Sequence, residues 1–312
     1  MNILITGCNG FLGLNIARYL SNFKEFKVLG VCRHKSFSSH YFSKVFSVND
    51  LLDLENSPNI MNTVDVLIHT AGIANALPDI NTTDEEYFKV NSELTRKVVS
   101  IASKYSIKKF VYISSIKVYD NSYFKSNTIS NNSIENPKEI YGKSKLKAEN
   151  YLKEASAKDL IDYVIIRPPL IYGRGVKGNM HLLARLIKTN IPLPLKTFRT
   201  NKRSMVSIKN ICDLIKECCL NPHAKNKTFL VSDDNDLSTY ELSELIKRTV
   251  KSKTLFFSLP KSFLNFIGKF LGISRQVKTL SESSEINIEY TKNTLSWKPI
   301  ERVEEAFEEM FT

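Results

Sequence analysis

Short apolar runs alternate with longer amphipathic stretches through the first half of the chain. "NILIT" reads as a strand and "GFLGLNIARYLSN" as a helix; "FKVLGVC" and "KVFSV" follow as strands. "VDVLIHTAG" is a strand, "EEYFKVNSELTRKVVSIASKY" one long helix, and "KKFVYISS" a strand. A helix then opens near "YGKSKLKAENYL", ahead of the strand "DYVIIRPP". The strand runs are too continuously apolar for a sheet wetted on one side. Strand and helix in alternation at this spacing predict an α/β fold, a parallel sheet covered on both faces.

The rhythm changes after Pro168 and Pro169. "GNMHLLARLIKTN" predicts a helix, "IPLPL" a turn-rich bridge, and "SIKNICDLIKECCLN" a helix leading into the strand "KTFLVSD". Beyond Asp234, helices are expected at "STYELSELIKRTVKSK" and "LPKSFLNFIGKFLG", and at "ERVEEAFEEMF", where Val303, Phe307 and Met310 share a face. The expected organisation is a first domain over residues 1–168, with 205–232 returning to it. A smaller, mostly helical lobe takes 169–204 and 233–312. No internal repeat of useful strength is present.

Charge narrows the partners. Forty-four Lys and Arg against thirty-two Asp and Glu leave a formal charge of +12, which favours an anionic ligand. Nucleic acid is not expected, because the lysines are scattered and no zinc-finger spacing or RNA-binding segment accompanies them. Cys8, Cys32, Cys212, Cys218 and Cys219 form no CxxC pair, which points to a reducing compartment rather than a disulfide framework. "MNILITG" runs straight into a strand without a basic, apolar leader, so a cytoplasmic location is expected. The most membrane-like piece, Leu259 to Gly272, is interrupted by lysines and too short to span; it reads as a core-facing helix.

The first turn of the chain carries chemistry. "TGCNGFLG" sets Gly7, Gly10 and Gly13 in GxxGxxG spacing between the first strand and the first helix. Residues without a Cβ let the backbone turn tightly there and let a pyrophosphate approach the amides at a helix N-terminus. That is the signature of a Rossmann-type, doubly wound dinucleotide-binding domain. At the end of the second strand stands Arg33, where an NAD-selecting site usually shows a carboxylate. Arg33, followed by His34 and Lys35, can pair with a 2′-phosphate and so points toward NADP; a solvated basic turn over the adenine suits either cofactor. Asp50 reads equally as a partner of the adenine amino group and as a surface aspartate.

A second constellation lies downstream. Tyr141 and Lys145 are four residues apart on one helix face, so an ammonium can favour the phenolate of a tyrosine whose ordinary pKa is near 10. "FVYISSIKVYD" ends a parallel strand in Ser114 and Ser115, at the edge where ligands bind, so a hydroxyl there can meet the same reacting oxygen. No His, Cys and carboxylate cluster suggests a metal; His69 and His181 read as packed or surface residues.

With these motifs in hand the chain resembles the extended short-chain dehydrogenases/reductases, the NAD-dependent epimerase/dehydratase family. "TGCNGFLG", "VLIHTAG", "VNSELTRKVV", "YISSIKVY", "YGKSKLKAE", "IRPPLIYGRGVKGN", "RSMVSIKN" and "LSWKP" stand in the expected order over nearly the whole chain. The resemblance implies Ser115, Tyr141 and Lys145 as catalytic residues. Ser115 is preferred to Ser114 because the family's active hydroxyl stands four positions before the tyrosine that Tyr119 occupies. It implies a dinucleotide held by Gly7, Gly10, Phe11, Leu12, Gly13, Arg33, Asp50, Ala71, Gly72 and Asn91, together with Tyr141 and Lys145. Lys177, Asn179 and Arg203 would meet the diphosphate and uridine of a UDP-sugar, and a homodimer would form through the two long helices.

Departures sharpen this. Family dehydratases carry Asp and Glu directly after the active hydroxyl, where this chain has Ile116 and Lys117, so dehydration is not expected. Leu170 stands where galactose epimerases usually show Asn. The motif set is most similar to reductases of UDP-4-keto-6-deoxy-N-acetylhexosamines in surface polysaccharide synthesis, alongside enzymes described as UDP-hexose 4-epimerases. Hydride transfer at C4 of a UDP-sugar is the expected activity. A 4-epimerase with tightly held NAD and a non-catalytic dinucleotide-binding protein are the alternatives.

Overall fold

A computed structural model describes residues 1–33, 37–73, 82–120, 128–176, 179–270 and 272–311, with Asn179 and Arg275 described by backbone alone. The dinucleotide-binding half runs β1 (Asn2–Thr6), α1 (Phe11–Leu20), β2 (Lys27–Cys32), β3 (Lys44–Ser47), α2 (Pro58–Met61) and β4 (Val66–His69). It continues through α3 (Asp84–Phe88), α4 (Leu94–Lys104), β5 (Lys109–Ile113), α5 (Ile140–Ala157) and β6 (Asp162–Arg167). Next come β7 (Leu170–Tyr172), α6 (Asn179–Lys188), β8 (Met205–Ser207), α7 (Ile208–Leu220) and β9 (Lys227–Leu230). Five helices close the chain: α8 (Thr239–Thr249), α9 (Lys261–Phe270), α10 (Ser274–Ser281), α11 (Glu289–Leu295) and α12 (Val303–Phe311).

Seven parallel strands form the main sheet in the order β3-β2-β1-β4-β5-β6-β9. The order reverses at β1, whose neighbours are β2 and β4, and a doubly wound sheet opens its ligand crevice at the carboxyl ends of those strands. Side chains alternate between two apolar layers. Ile3, Ile5, Ile68 and Val111 pack on one side with Ile16 of α1 and Leu214 of α7. Leu4, Leu67, Phe110 and Ile165 pack on the other with Val98 of α4 and Leu152 of α5. Each fully buried aliphatic of this kind contributes about 1.5–3 kcal/mol, which is why the strand runs show no polar alternation. A third cluster, including Tyr172, Ile187, Phe198, Ile246 and Phe307, is the core of the helical lobe. The five cysteines are free and buried.

Several elements differ from the pattern reading. The helix expected through Glu85–Tyr105 is interrupted by a π-helical turn, Lys89–Glu93, which widens the helix where Asn91 turns its side chain inward. A two-stranded parallel sheet of β7 and β8 lies outside the main one. The piece expected to face the core does so only through Leu264 and Gly268 of α9; Phe263, Phe266 and Phe270 are exposed. No helix among the described residues is long and apolar enough to cross a membrane.

Candidate active site

The glycine loop is shaped by close approach. Gly7 has φ +68, a conformation L side chains rarely adopt, and a Cβ on it would stand 2.8 Å from the Ala71 nitrogen. A Cβ on Gly13 would fall 2.5 Å from the Gly7 carbonyl oxygen and 2.9 Å from Thr70 Oγ1. Gly10 caps α1 with no side-chain hydrogen bond, and the first turn holds no acidic residue. The helix therefore presents free amides and an unopposed positive dipole end to an anion. This cradle fits a dinucleotide pyrophosphate.

The end of β4 is pinned beside it. Asn91 Nδ2 donates to the Ile73 carbonyl at 3.1 Å and to Ser144 Oγ at 3.1 Å, while its Oδ1 accepts from the Ile73 amide at 2.8 Å. Ser92 Oγ donates to the Ser144 carbonyl at 2.8 Å. The π-helical turn thus presents Asn91 and Ser92 together to α5, a use typical of such bulges at functional sites. A Cβ on Gly72 would lie 2.8 Å from Asn91 Oδ1 and 3.6 Å from Lys145 Nζ. Through Gly7 against Ala71, and Gly72 beside Lys145, the glycine loop and the Tyr141–Lys145 helix face are contiguous.

Tyr141 and Lys145 share the inward face of α5. A side chain on Gly142 would collide with the Lys117 carbonyl oxygen, so glycine there lets the helix start close against the turn after β5. That turn, Ile116–Val118, is capped by Ser115, whose Oγ accepts from the Lys117 amide at 3.2 Å. The same hydroxyl lies beside the Tyr141 phenol and favours its ionised form. The Tyr87 ring meets Tyr141 edge-on, with centroids 6.1 Å apart. Burial raises the Tyr141 pKa to about 12, the Ser115 hydroxyl opposes that rise, and Tyr87 adds to it. Lys145 Nζ donates to the Ile113 carbonyl at 2.9 Å and lies 4.9 Å from the centre of the Tyr112 ring. Burial lowers the Lys145 pKa to about 8 against the opposing charge of Glu149. Ser115 is the group that favours the phenolate, and the ammonium is anchored on the end of β5.

A buried network that the motifs did not disclose fixes α5 in place. Glu149 Oε1 accepts from Ser114 Oγ at 2.5 Å and from Arg167 Nε at 3.0 Å, and its Oε2 accepts from Arg167 Nη2 at 2.5 Å. Arg167 also donates to Tyr119 Oη at 2.5 Å and to Glu135 at 2.7 Å. Burial weakens the guanidinium's hold on its proton, but the charges around it, Glu149 foremost, win and raise its pKa. The two adjacent serines therefore face different partners, Ser114 donating to Glu149 while Ser115 accepts from the Lys117 amide and lies beside Tyr141. Helical spacing alone puts position 149 on the inward face after Lys145, but nothing in the sequence marks its carboxylate as the buried partner of Arg167.

The remaining sequence-predicted residues are dispersed. Phe11 and Leu12 open α1, half-buried. Arg33 is exposed at the end of β2, beside the end of β3, where the Val48 amide donates to the Cys32 carbonyl at 3.1 Å; His34 and Lys35 lie outside the described residues. Asp50 is exposed and caps the 3-10 turn Leu51–Asn56, accepting from the Leu52 amide at 3.0 Å. The Arg203 guanidinium donates to the Thr279 carbonyl and, at 3.4 Å, to that of Glu282, behind α10. Lys177 lies outside the described residues, and Asn179 begins α6. His69 is packed, its ring nitrogens 2.8 Å from Thr6 Oγ1 and 3.1 Å from Thr95 Oγ1; burial, then the charge of Lys145, lowers its pKa to about 3. His181 stacks on Phe311 with centroids 6.2 Å apart.

Sheet order, glycine cradle and inward Tyr141–Lys145 face together define a Rossmann-type dinucleotide-binding fold with a helical lobe. The model of the NAD dependent epimerase/dehydratase family matches residues 3–231, and the chain belongs to that family. It is 33% identical over 309 residues to a UDP-glucose 4-epimerase of Vibrio cholerae, covering 99% of this chain and 94% of that one. It is 26% identical, over 83% of this chain and 75% of the other, to the N-acetyl-alpha-D-glucosaminyl-diphospho-ditrans,octacis-undecaprenol 4-epimerase of Escherichia coli O157:H7. Among solved structures, the UDP-N-acetylglucosamine 4-epimerase of Bacillus cereus superposes with a TM-score of 0.79 at 20% identity, covering 99% and 97% of the two chains. The UDP-glucuronic acid 4-epimerase of the same organism, in complex with NAD, gives 0.78 at 17%, covering 100% and 97%. At those identities the structural likeness concerns the fold.

Proposed function

We propose that the protein catalyses nicotinamide-dependent hydride transfer at C4 of a UDP-sugar, in the first instance reduction of a UDP-4-keto-6-deoxy-N-acetylhexosamine. The observation that carries the reading is the Ser115 hydroxyl beside the Tyr141 phenol, on the same helix face as buried Lys145 and next to the glycine cradle through Gly72. A reduced dinucleotide held by that cradle supplies the hydride to C4. Tyr141 donates its proton to the oxygen that gains charge as the ketone becomes an alkoxide, and Ser115 hydrogen-bonds the same oxygen. Lys145, fixed on the Ile113 carbonyl, keeps positive charge beneath the pair. Solvent then returns the proton to Tyr141. Family membership supports NAD; exposed Arg33 offers a guanidinium to a 2′-phosphate, so the reading extends to NADP. Residues 169–204 and 233–312 form the sugar-nucleotide lobe in this account, and the outer faces of α4 and α5 pair two copies.

The Vibrio cholerae relative, covering nearly the whole chain, favours a second reading with the same residues: Tyr141 takes the O4 proton first and returns it after the sugar has turned. A 4-epimerase needs no net cofactor consumption, whereas a reductase does. Steady NADH or NADPH oxidation with a UDP-4-keto-6-deoxy sugar supports the first reading. Interconversion of UDP-hexoses by purified protein with stoichiometric bound NAD and none added rejects it in favour of the second.

A further inference from the structure

The stretch between Glu244 and Glu282 contains no acidic residue, while Lys247, Arg248, Lys251, Lys253, Lys261 and Lys269 all fall within it. Helix α9 stands in its middle and is split into two faces. Leu264 and Gly268 pack inward, and a Cβ on Gly268 would stand 3.2 Å from Val277 Cγ2 of α10. Outward, at i, i+3 and i+7, stand Phe263 at 49%, Phe266 at 68% and Phe270 at 85% exposure. Ile273 just beyond is 40% exposed, and Leu255 just before is 67% exposed. With about 200 Å² to a phenylalanine, the three rings alone show roughly 400 Å² of apolar surface, the size of the largest exposed patches on monomers, which are often functional. The exposed lysines Lys251, Lys253, Lys261 and Lys269 accompany it.

We propose that the α9 face of Phe263, Phe266 and Phe270, with its exposed lysines, docks the protein on the surface of an anionic phospholipid bilayer. Aromatic rings on one face of a short helix, lysines around them and no carboxylate in the surrounding stretch are the requirements of an in-plane interfacial anchor. Each lysine near an anionic surface is attracted to it, and the ring face enters the boundary between headgroups and acyl chains. Charge complementarity also argues against a second copy as the occupant. A two-fold contact across α9 sets its own lysines against each other, and the stretch between Glu244 and Glu282 supplies no carboxylate to pair with them. The helix is too short to span, so the attachment is peripheral and reversible, and it stands independently of the C4 chemistry.

Co-sedimentation of the full chain with phosphatidylglycerol-containing phosphatidylcholine vesicles, and with pure phosphatidylcholine vesicles, tests this at low and high salt. The expected result is binding to the anionic vesicles that weakens with salt and falls about tenfold or more in the Phe266→Ser/Phe270→Ser variant. The variant's unchanged melting temperature and dinucleotide affinity show that its fold is intact. Lack of binding by the parent protein, or equal binding by the variant, overturns the proposal. So does loss on Lys261→Glu/Lys269→Glu alone while the Phe variant binds normally, since that is charge attraction without insertion. A concentration-dependent dimer that the Phe variant abolishes assigns the face to a second copy and overturns it as well.

Discussion

Replacing Glu149 with Gln tests whether the network beneath α5 is what keeps Tyr141 and Lys145 in place. The carboxylate is fully buried and accepts two Arg167 bonds, at 3.0 and 2.5 Å, and one from Ser114. In Gln one acceptor becomes an amide that meets the guanidinium donor to donor, and Arg167 loses its fully buried counter-charge. Removing one partner of a buried pair costs about 3–5 kcal/mol. Glu135 remains 2.7 Å from Arg167 and is half-buried, so we expect the lower end, about 3 kcal/mol, or a Tm lowered by roughly 5 °C. The same change removes the charge that opposes burial at Lys145, so the Lys145 pKa drops below about 8 and the alkaline limb of the kcat profile moves to lower pH. Thermal and urea unfolding give the first quantity, and initial rates across pH give the second. The double variant Glu149→Leu/Arg167→Met should recover much of the stability, because no lone charge is left buried. A Glu149→Gln protein within about 1 kcal/mol of the parent, or a double variant as unstable as the sum of the singles, refutes the reasoning.

Gly13→Ala places a methyl 2.5 Å from the Gly7 carbonyl oxygen, so dinucleotide affinity measured by calorimetry should fall at least about tenfold; unchanged affinity counts against the cradle. Lys145 has its folded pKa lowered by burial from 10.5 to about 8, so the unfolded chain binds the extra proton between those values. The penalty is fully present below pH 8 and is relieved as pH rises toward 10.5, worth about 3 kcal/mol. Lys145→Met should therefore be inactive yet more stable than the parent at pH 7, with the gap closing by pH 10.5; a gap independent of pH contradicts this. In a panel of UDP-sugars, we expect dinucleotide oxidation only with 4-keto substrates and no water loss from UDP-hexoses, since Ile116 and Lys117 offer no acid and base there. Formation of a 4-keto-6-deoxy product would contradict it.

The sheet was readable because strands covered on both faces are apolar at every position, as in Ile3, Leu4 and Ile5, and a continuous run leaves little competing pattern. The glycine spacing was readable because a missing Cβ is a local requirement. The π-helical turn at Lys89–Glu93 was not, because its cause is nonlocal: Asn91 reaches the backbone of Ile73, eighteen residues earlier in the chain. Glu149 and Arg167 were unread for a related reason, since charged residues are ordinarily exposed and only the finished packing of α5 on β5 and β6 reveals them as a buried pair. Helix α9 misled because apolar spacing marks a face without saying which side it takes. The short helices α10 and α11 gave too little period to detect.

Catalysis in this scheme turns on Tyr141 moving the proton while the cradle binds the dinucleotide without its help. Turnover of the Tyr141→Phe variant, measured together with its dinucleotide affinity, separates the two. We expect kcat to fall about 100-fold or more with binding essentially retained. Turnover equal to the parent's, with the dinucleotide bound, would take the phenol out of the chemistry and contradict the central claim.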